Sequence, residues 1–157
     1  MLQKYLLIFL VSMVPLIELR GSILMAVGMD LDYFTAMTVS VIGNMLPVPI
    51  IYFFARKVLS WGRDKKYIGG FFTYCLEKGE KGGRKLTERA GRGGLFLALM
   101  LFVGIPLPGT GAWTGTLAAS FLNMGIRSTT ASVCLGVILA GIIMGVASTL
   151  GLHIFGL

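Results

Sequence analysis

The sequence has little charge, two cysteines and a single histidine, and each shortage excludes a class of function. Charged residues make up 13% of the 157 residues, about half the fraction of an ordinary soluble domain. Two cysteines and one histidine supply neither a disulfide framework nor a zinc-ligand set. The sequence therefore predicts no metal and no cofactor. Its apolar stretches also lack a Ser/His pair and an acid dyad, so it predicts no enzyme.

Long uncharged apolar blocks take the place of charge. Hydrophobic residues make up 55% of the chain, and the mean hydropathy is +0.83. A helix needs roughly 20 apolar residues to cross the hydrocarbon core of a bilayer. The blocks 33–55 and 128–157 are long enough. The sequence therefore predicts an all-α integral membrane protein.

The basic residues are concentrated in one segment. Eleven of the fourteen Lys and Arg residues lie between residues 56 and 92, beside only four acids, so this segment carries the whole net charge of +7. The positive-inside rule places such a loop in the cytoplasm, where it would lie against anionic lipid headgroups. Membrane lipids are therefore the predicted partners of this loop, and no nucleic acid is needed to explain a pI near 9.7.

Two halves flank the basic segment and share one order of features. We predict a single membrane domain over 1–157, with a first repeat over 1–55, a basic cytoplasmic loop over 56–94 and a second repeat over 95–157. In each half an apolar stretch interrupted by Gly and Pro precedes a charged hinge and a full-length span. This pattern is typical of transporters built from two inverted repeats.

The interrupted stretches require a special arrangement. Pro15 breaks the first stretch, and Pro106 and Pro108 break the second, because proline removes a helix donor. Non-helical backbone at membrane depth must be buried in protein or line a watered cavity. Each stretch is then either a re-entrant helical hairpin or one kinked crossing. Arg127 favours hairpins, which place it in the cytoplasm and both termini outside.

Glu18 and Arg20 are the charged residues of the first interrupted stretch. Ionisable residues inside a membrane are expensive and indicate function by default, although a structural ion pair that locks the hairpin is an equal alternative. Arg20 would hold a phosphate or carboxylate through its forked donors. Glu18, partly withdrawn from water, would couple transport to protons. Since neither charge can face lipid unpaired, we expect both within protein, near residues 109–111.

The second stretch offers a complementary site. Gly109, Thr110 and Gly111 permit backbone in which successive N–H groups converge on an anion. A helix that begins near Ala112 would add its positive end, and Thr110 adds a hydroxyl. The alternative is that these residues only turn the hairpin. Trp113 is a weaker candidate for substrate contact, because tryptophan is also common at membrane interfaces.

Two further features have open interpretations. Asn44 lies mid-span, where it would face a cavity or form a hydrogen bond between helices. Gly141 and Gly145 form a small-xxx-small pattern that packs either within the chain or between the subunits of a homodimer.

The interrupted stretches also resemble a known family. The segments PLIELRG (15–21) and GIPLPGTGAWTG (104–115) resemble the two signatures of the small multi-drug export protein family, which is grouped with the DedA-like (VTT domain) membrane proteins. The resemblance covers nearly the whole chain. It implies two opposed re-entrant hairpins among spanning helices, in a multi-pass protein of a bacterial or archaeal cytoplasmic membrane. It also implies movement of polyprenyl-phosphate carriers or other lipids, with proton coupling.

Three functions follow from these observations. The leading hypothesis is a secondary transporter of an anionic, lipid-phosphate type substrate, with a substrate site of Glu18, Arg20, Asn44, Gly109, Thr110, Gly111 and Trp113. The second is efflux of small amphipathic drugs, for which Glu18 is the buried acid. The third is a membrane assembly factor without transport.

Overall fold

A computed structural model describes residues 1–15, 17–65, 69–107 and 110–155 of the chain. Within these ranges the protein is all helical, and no strand occurs. The helices are α1 (Leu2–Ser12), α2 (Glu18–Gly28), α3 (Tyr33–Met45), α4 (Pro47–Arg63), α5 (Gly69–Gly104), α6 (Ala112–Phe121) and α7 (Ile126–Phe155). The predicted all-α class is confirmed.

Two stretches of helix are long and apolar enough to cross a membrane: Tyr33–Arg63 and Ile126–Ser148. The first combines α3 and α4, which continue through Leu46 in helical conformation although Pro47 supplies no backbone donor. Both predicted spans are therefore found. The first runs beyond the predicted end at residue 55, because the helix continues through its basic residues to Arg63.

The helices α1 and α2 fold back on each other as a hairpin. Lys4, in the first turn of α1, donates from Nζ to the carbonyl oxygen of Met29 at the end of α2, at 3.1 Å. Asp30 then adopts a left-handed conformation (φ 54°), and the N–H of Leu31 closes back on Ala26. This Schellman-type cap ends α2 and turns the chain into α3.

The helix α3 begins with an aspartate cap. The Asp32 carboxylate accepts hydrogen bonds from the N–H and the hydroxyl of Thr35, at 2.8 and 2.6 Å. These bonds lower the pKa of Asp32 and keep a negative charge at the positive end of the helix.

The segment predicted as the basic cytoplasmic loop is largely helical in the structure. The helix α5 begins at Gly69 and bends at Gly91, where φ is 70°. Glycine is the residue that takes this conformation at little cost. The bend separates a basic arm from the apolar arm Gly91–Gly104. Charged residues of the basic arm whose exposure is described, such as Lys81, Arg84 and Glu88, are exposed on this helix.

The second half repeats the hairpin geometry. Gly115 of α6 faces Val103 and Leu99 of the apolar arm of α5, so these two helices pack closely at this point. Asn123 ends the short helix in a left-handed conformation (φ 57°), and the N–H of Met124 closes back on Ala119. The same cap therefore precedes the long helix in both halves.

The two halves interlock. The helix α2 packs on α7, while α6 packs on α4. Their shared core contains the buried side chains of Leu19, Ile23, Val103, Val133 and Val137.

The glycine pattern of α7 packs within this core. Gly141 faces Met37, and Gly145 faces the Tyr33 ring. Of the two interpretations of this pattern, packing within the chain is the one observed.

The orientation of the basic arm gives a first testable prediction. Lys81 is exposed on this arm. A Lys81→Cys variant in intact cells should resist a membrane-impermeant maleimide and react only after permeabilisation, because the positive-inside rule predicts a cytoplasmic position for this arm. Labelling from outside intact cells would reverse the assigned orientation.

Candidate functional site

The connections between the short helices of the two halves lie against each other. Trp113, in the first turn of α6, donates its indole N–H to the carbonyl oxygen of Met13 at the end of α1, at 3.2 Å. Arg20, in the first turn of α2, reaches in the opposite direction to the connection between α5 and α6. In each half, therefore, a side chain in the first turn of the second short helix donates a hydrogen bond to the other half.

The Glu18 carboxylate caps the N-terminus of α6. It accepts hydrogen bonds from the N–H of Ala112 at 3.1 Å and of Trp113 at 3.0 Å, one on each oxygen. Free N–H groups and the helix dipole make this position favourable for an anion. Glu18 is 7% exposed and has a left-handed backbone (φ 51°), which is unusual for this residue type. Tertiary contacts therefore hold this carboxylate in place.

Gly111 allows the carboxylate to approach α6. A Cβ at this position would lie 2.6 Å from Glu18 Cδ and would overlap one carboxylate oxygen. The backbone of Gly111 is extended, so glycine is needed here for space and not for its backbone conformation.

The Arg20 guanidinium binds the opposite end of the same connection. It donates to the carbonyl oxygens of Ile105 at 3.2 Å and Val103 at 3.5 Å, to that of Leu107, and to Thr110 Oγ1 at 2.8 Å. These carbonyls belong to the C-terminal end of α5 and the residues after it. Arg20 therefore neutralises the negative end of α5 while Glu18 neutralises the positive end of α6, as helix dipoles favour.

These contacts define what the two charges do structurally. Glu18 and Arg20 hold the connection between α5 and α6 from its two ends, and they bind backbone groups there. The structural alternative was an ion pair between Glu18 and Arg20 that locks the hairpin. Both charges do make structural contacts, but each one binds the end of a helix and not the other charge.

A cavity of about 440 Å³ opens beside these contacts. Glu18, Arg20, Thr110 and Trp113 form the polar part of its wall together with Thr114. The remainder of the wall is apolar and comprises Pro15, Pro106, Leu107, Leu117 and Met144. A mostly apolar cavity with a few converging polar groups is typical of a small-molecule site.

The structure brings together most of the predicted site residues. Glu18, Arg20, Thr110 and Trp113 border the cavity, and Gly111 lies against Glu18. Gly109 lies outside the described residues. Asn44 lies elsewhere: it is buried in α3, 1% exposed, and it is not among the residues of the wall.

Sequence reasoning missed several features of this site. The apolar wall residues and Thr114 were not selected, since ordinary apolar residues in a membrane protein carry no distinguishing signal. The anion site predicted at Gly109, Thr110 and Gly111, beside the start of α6, stays a prediction; in the structure the N–H groups of Ala112 and Trp113 at this helix end are bonded to Glu18. Among the described residues no three His, Cys, Asp or Glu side chains gather as metal ligands would.

The fold and the cavity define an all-helical membrane protein in which two helical hairpins meet at a polar centre. Residues 18–143 match the family described as "Putative small multi-drug export protein". This match covers most of the chain and includes residues 18–21 of the first segment and the whole of the second, so the chain belongs to this family. Comparisons with curated proteins and with solved structures give no match.

Proposed function

We propose that this protein exports small amphipathic molecules across the membrane, and that the cavity beside Arg20 binds an anionic group of the substrate. The observation that carries this proposal is the position of the Arg20 guanidinium at the cavity wall. Its hydrogen-bond acceptors are carbonyl oxygens and a hydroxyl, all of them neutral. The nearby Glu18 carboxylate acts on the guanidinium electrostatically but is hydrogen-bonded to the start of α6. The guanidinium can therefore still attract an anion from the cavity, and its geometry suits carboxylate and phosphate.

The rest of the wall supports an amphipathic substrate. Leu107, Leu117 and Met144 offer an apolar surface, while Thr110 and Thr114 offer hydroxyls near Arg20. The family description supports export of small molecules. The lipid-phosphate substrate predicted from the DedA-like resemblance is one member of this amphipathic anion class.

The helix lengths support a membrane arrangement of inverted repeats. The 11 residues of α1 and of α2 each extend about 16 Å, roughly half of the hydrocarbon core. The contact between Lys4 and Met29 puts both ends of this hairpin on one side. We infer that each half is a re-entrant hairpin followed by a spanning helix, in opposite orientations. The two connections and the cavity would then lie near the middle of the bilayer.

Flux into proteoliposomes tests this proposal. A fluorescent alkyl phosphate should cross in a protein-dependent manner, and Arg20→Lys should slow it about tenfold or more, because lysine lacks the forked donors. Arg56→Lys is the matched control. Arg56 is an exposed arginine bonded to Asn123 and is not part of the cavity wall. This variant should transport normally.

Efflux of cationic drugs is the second candidate, because Glu18 is a buried acid at the same wall. The same proteoliposomes decide between the two with a cationic dye such as ethidium. Dye flux without alkyl phosphate flux would contradict the anionic substrate and favour this candidate.

A further inference from the structure

The cavity beside Arg20 has a polar interior and an apolar rim. Its polar wall residues are buried or half-buried, namely Glu18, Arg20, Thr110, Trp113 and Thr114. The exposed residues among the described wall are all apolar: Pro15, Leu107 and Leu117. We call these three residues the apolar rim. Exposed apolar patches that surround a binding site are typical of contact with a membrane or a ligand and not with water.

The two connections that border the cavity are apolar wherever they are exposed. Val14 and Ile17 in the first connection are 42% and 43% exposed, and Ile105 and Leu107 in the second are 45% and 55% exposed. Every exposed residue that the structure describes within 13–17 and 105–111 is apolar. Polar groups that face the hydrocarbon are costly, so this surface suits connections that contact lipid at the middle of a bilayer.

The volume of the cavity limits which part of a substrate it can hold. At about 440 Å³ it lies near the lower end of small-molecule sites, which span about 300–1,000 Å³. A headgroup or a small molecule fits this space, whereas a lipid-length chain must remain outside it. Because the polar groups are the less exposed part of the wall, the headgroup would bind inside and the chain would leave across the apolar rim.

We propose that the cavity opens sideways into the hydrocarbon across the apolar rim, and that an amphiphilic substrate enters it head first while its tail stays among the lipid acyl chains. This proposal rests on the proposed function and adds to it the route and the shape of the substrate. The occupant of the rim is an acyl or alkyl chain. A cavity that opened to water would instead favour soluble anions that fit entirely within it.

A sideways route keeps the tail of the substrate out of water. Transfer of an apolar chain from lipid to water is unfavourable in proportion to the area that it exposes. Across the apolar rim the tail remains in hydrocarbon throughout, while Arg20 and Thr110 meet the headgroup inside the cavity. The size and charge of the headgroup, and not the length of the tail, then decide which amphiphiles are accepted.

The fluorescence of Trp113 tests what fills the mouth of the cavity. The chain has two tryptophans, so Trp61→Phe leaves only Trp113, and Trp61 is not part of the described wall. Phospholipids brominated deep in the acyl chain should quench Trp113 more than iodide does from water. Hexadecyl phosphate should relieve this quenching, because its unbrominated tail replaces a lipid chain at the rim. Hexadecanol in equal amount is the matched control and should leave the quenching unchanged, since it lacks the anion.

Leu117→Trp tests the apolar rim in transport. The larger side chain narrows the mouth and should slow the flux of hexadecyl phosphate about tenfold, because overpacking commonly costs enough for that change in rate. Leu24→Trp is the matched control and should transport normally. Leu24 is an apolar residue of α2, 53% exposed, and is not part of the described wall. Equal flux in Leu117→Trp and wild-type protein would overturn the route across the rim.

Binding of a short anion distinguishes this proposal from the proposed function. Dibutyl phosphate is a diester with one negative charge across the working pH range, and it needs no tail outside the cavity. If it binds while iodide quenches Trp113 and brominated lipid does not, the sideways route is overturned and the proposed function stands. Lipid quenching that hexadecyl phosphate fails to relieve would overturn the head-first entry. Absence of both dibutyl phosphate binding and alkyl phosphate flux would overturn the proposed function, and the route with it.

Discussion

Replacing Gly111 with alanine is expected to abolish export and to destabilise the protein by about 3–5 kcal/mol, the usual cost of leaving a buried charge without its partner. The new Cβ would stand 2.6 Å from Glu18 Cδ and displace the carboxylate. Two N–H groups of α6 would lose their acceptor at the same time. Melting temperature in lipid nanodiscs and flux in proteoliposomes measure the two effects.

The matched control is Gly28→Ala. Gly28 ends α2, and a Cβ there meets no atom within 4 Å. Alanine should be neutral or slightly stabilising at this position, because it has the higher helix propensity. If Gly111→Ala melts and transports like Gly28→Ala, Glu18 does not depend on its close approach to α6.

Arg20→Ala is expected to have the second large effect. The guanidinium donates to four acceptors at the end of α5 and the residues after it. Hydrogen bonds from charged groups contribute about 1.5–3 kcal/mol each, but the cavity can supply water to some of these acceptors. We therefore expect a loss of about 2–4 kcal/mol in stability, together with loss of anion binding at every pH, since arginine stays protonated.

Comparison of folded yield with binding separates the roles of Arg20. Arg20→Lys keeps the charge but not the fork, so it should retain more stability than Arg20→Ala while binding dibutyl phosphate more weakly than wild type. Well-folded Arg20→Ala protein that binds the anion normally would end the role of Arg20 as a substrate anchor and leave only the helix contact.

The long helices were predictable because length and hydropathy decide them. The spans within Tyr33–Arg63 and Ile126–Ser148 follow from uncharged apolar blocks of sufficient length. The helical basic arm was not predictable in the same way, because charge identifies the side of the membrane and not the backbone conformation. The bend at Gly91 was also missed, as a glycine in a basic segment rich in glycine gives no individual signal.

The sequence indicated which residues would come together at the candidate site, but not which groups each of them would bind. Glu18 and Arg20 were expected near residues 109–111 because neither charge can face lipid unpaired, and the structure places them there. Sequence does not indicate which helix end each charge binds, since that depends on how the two halves interlock. The pairing of Glu18 with the start of α6 could be found only from the three-dimensional packing.

The central claim is that the Arg20 guanidinium binds the anionic group of the exported molecule. Solid-state NMR measures this contact directly, through the dipolar coupling between ¹⁵N-labelled arginine and the ³¹P of dibutyl phosphate in phosphorus-free, glycolipid proteoliposomes. Wild-type protein should show ¹⁵N–³¹P dephasing at about hydrogen-bond range, which Arg20→Lys removes and Arg56→Lys retains. Dephasing that survives in Arg20→Lys, or none in wild-type protein saturated with the anion, would contradict the account.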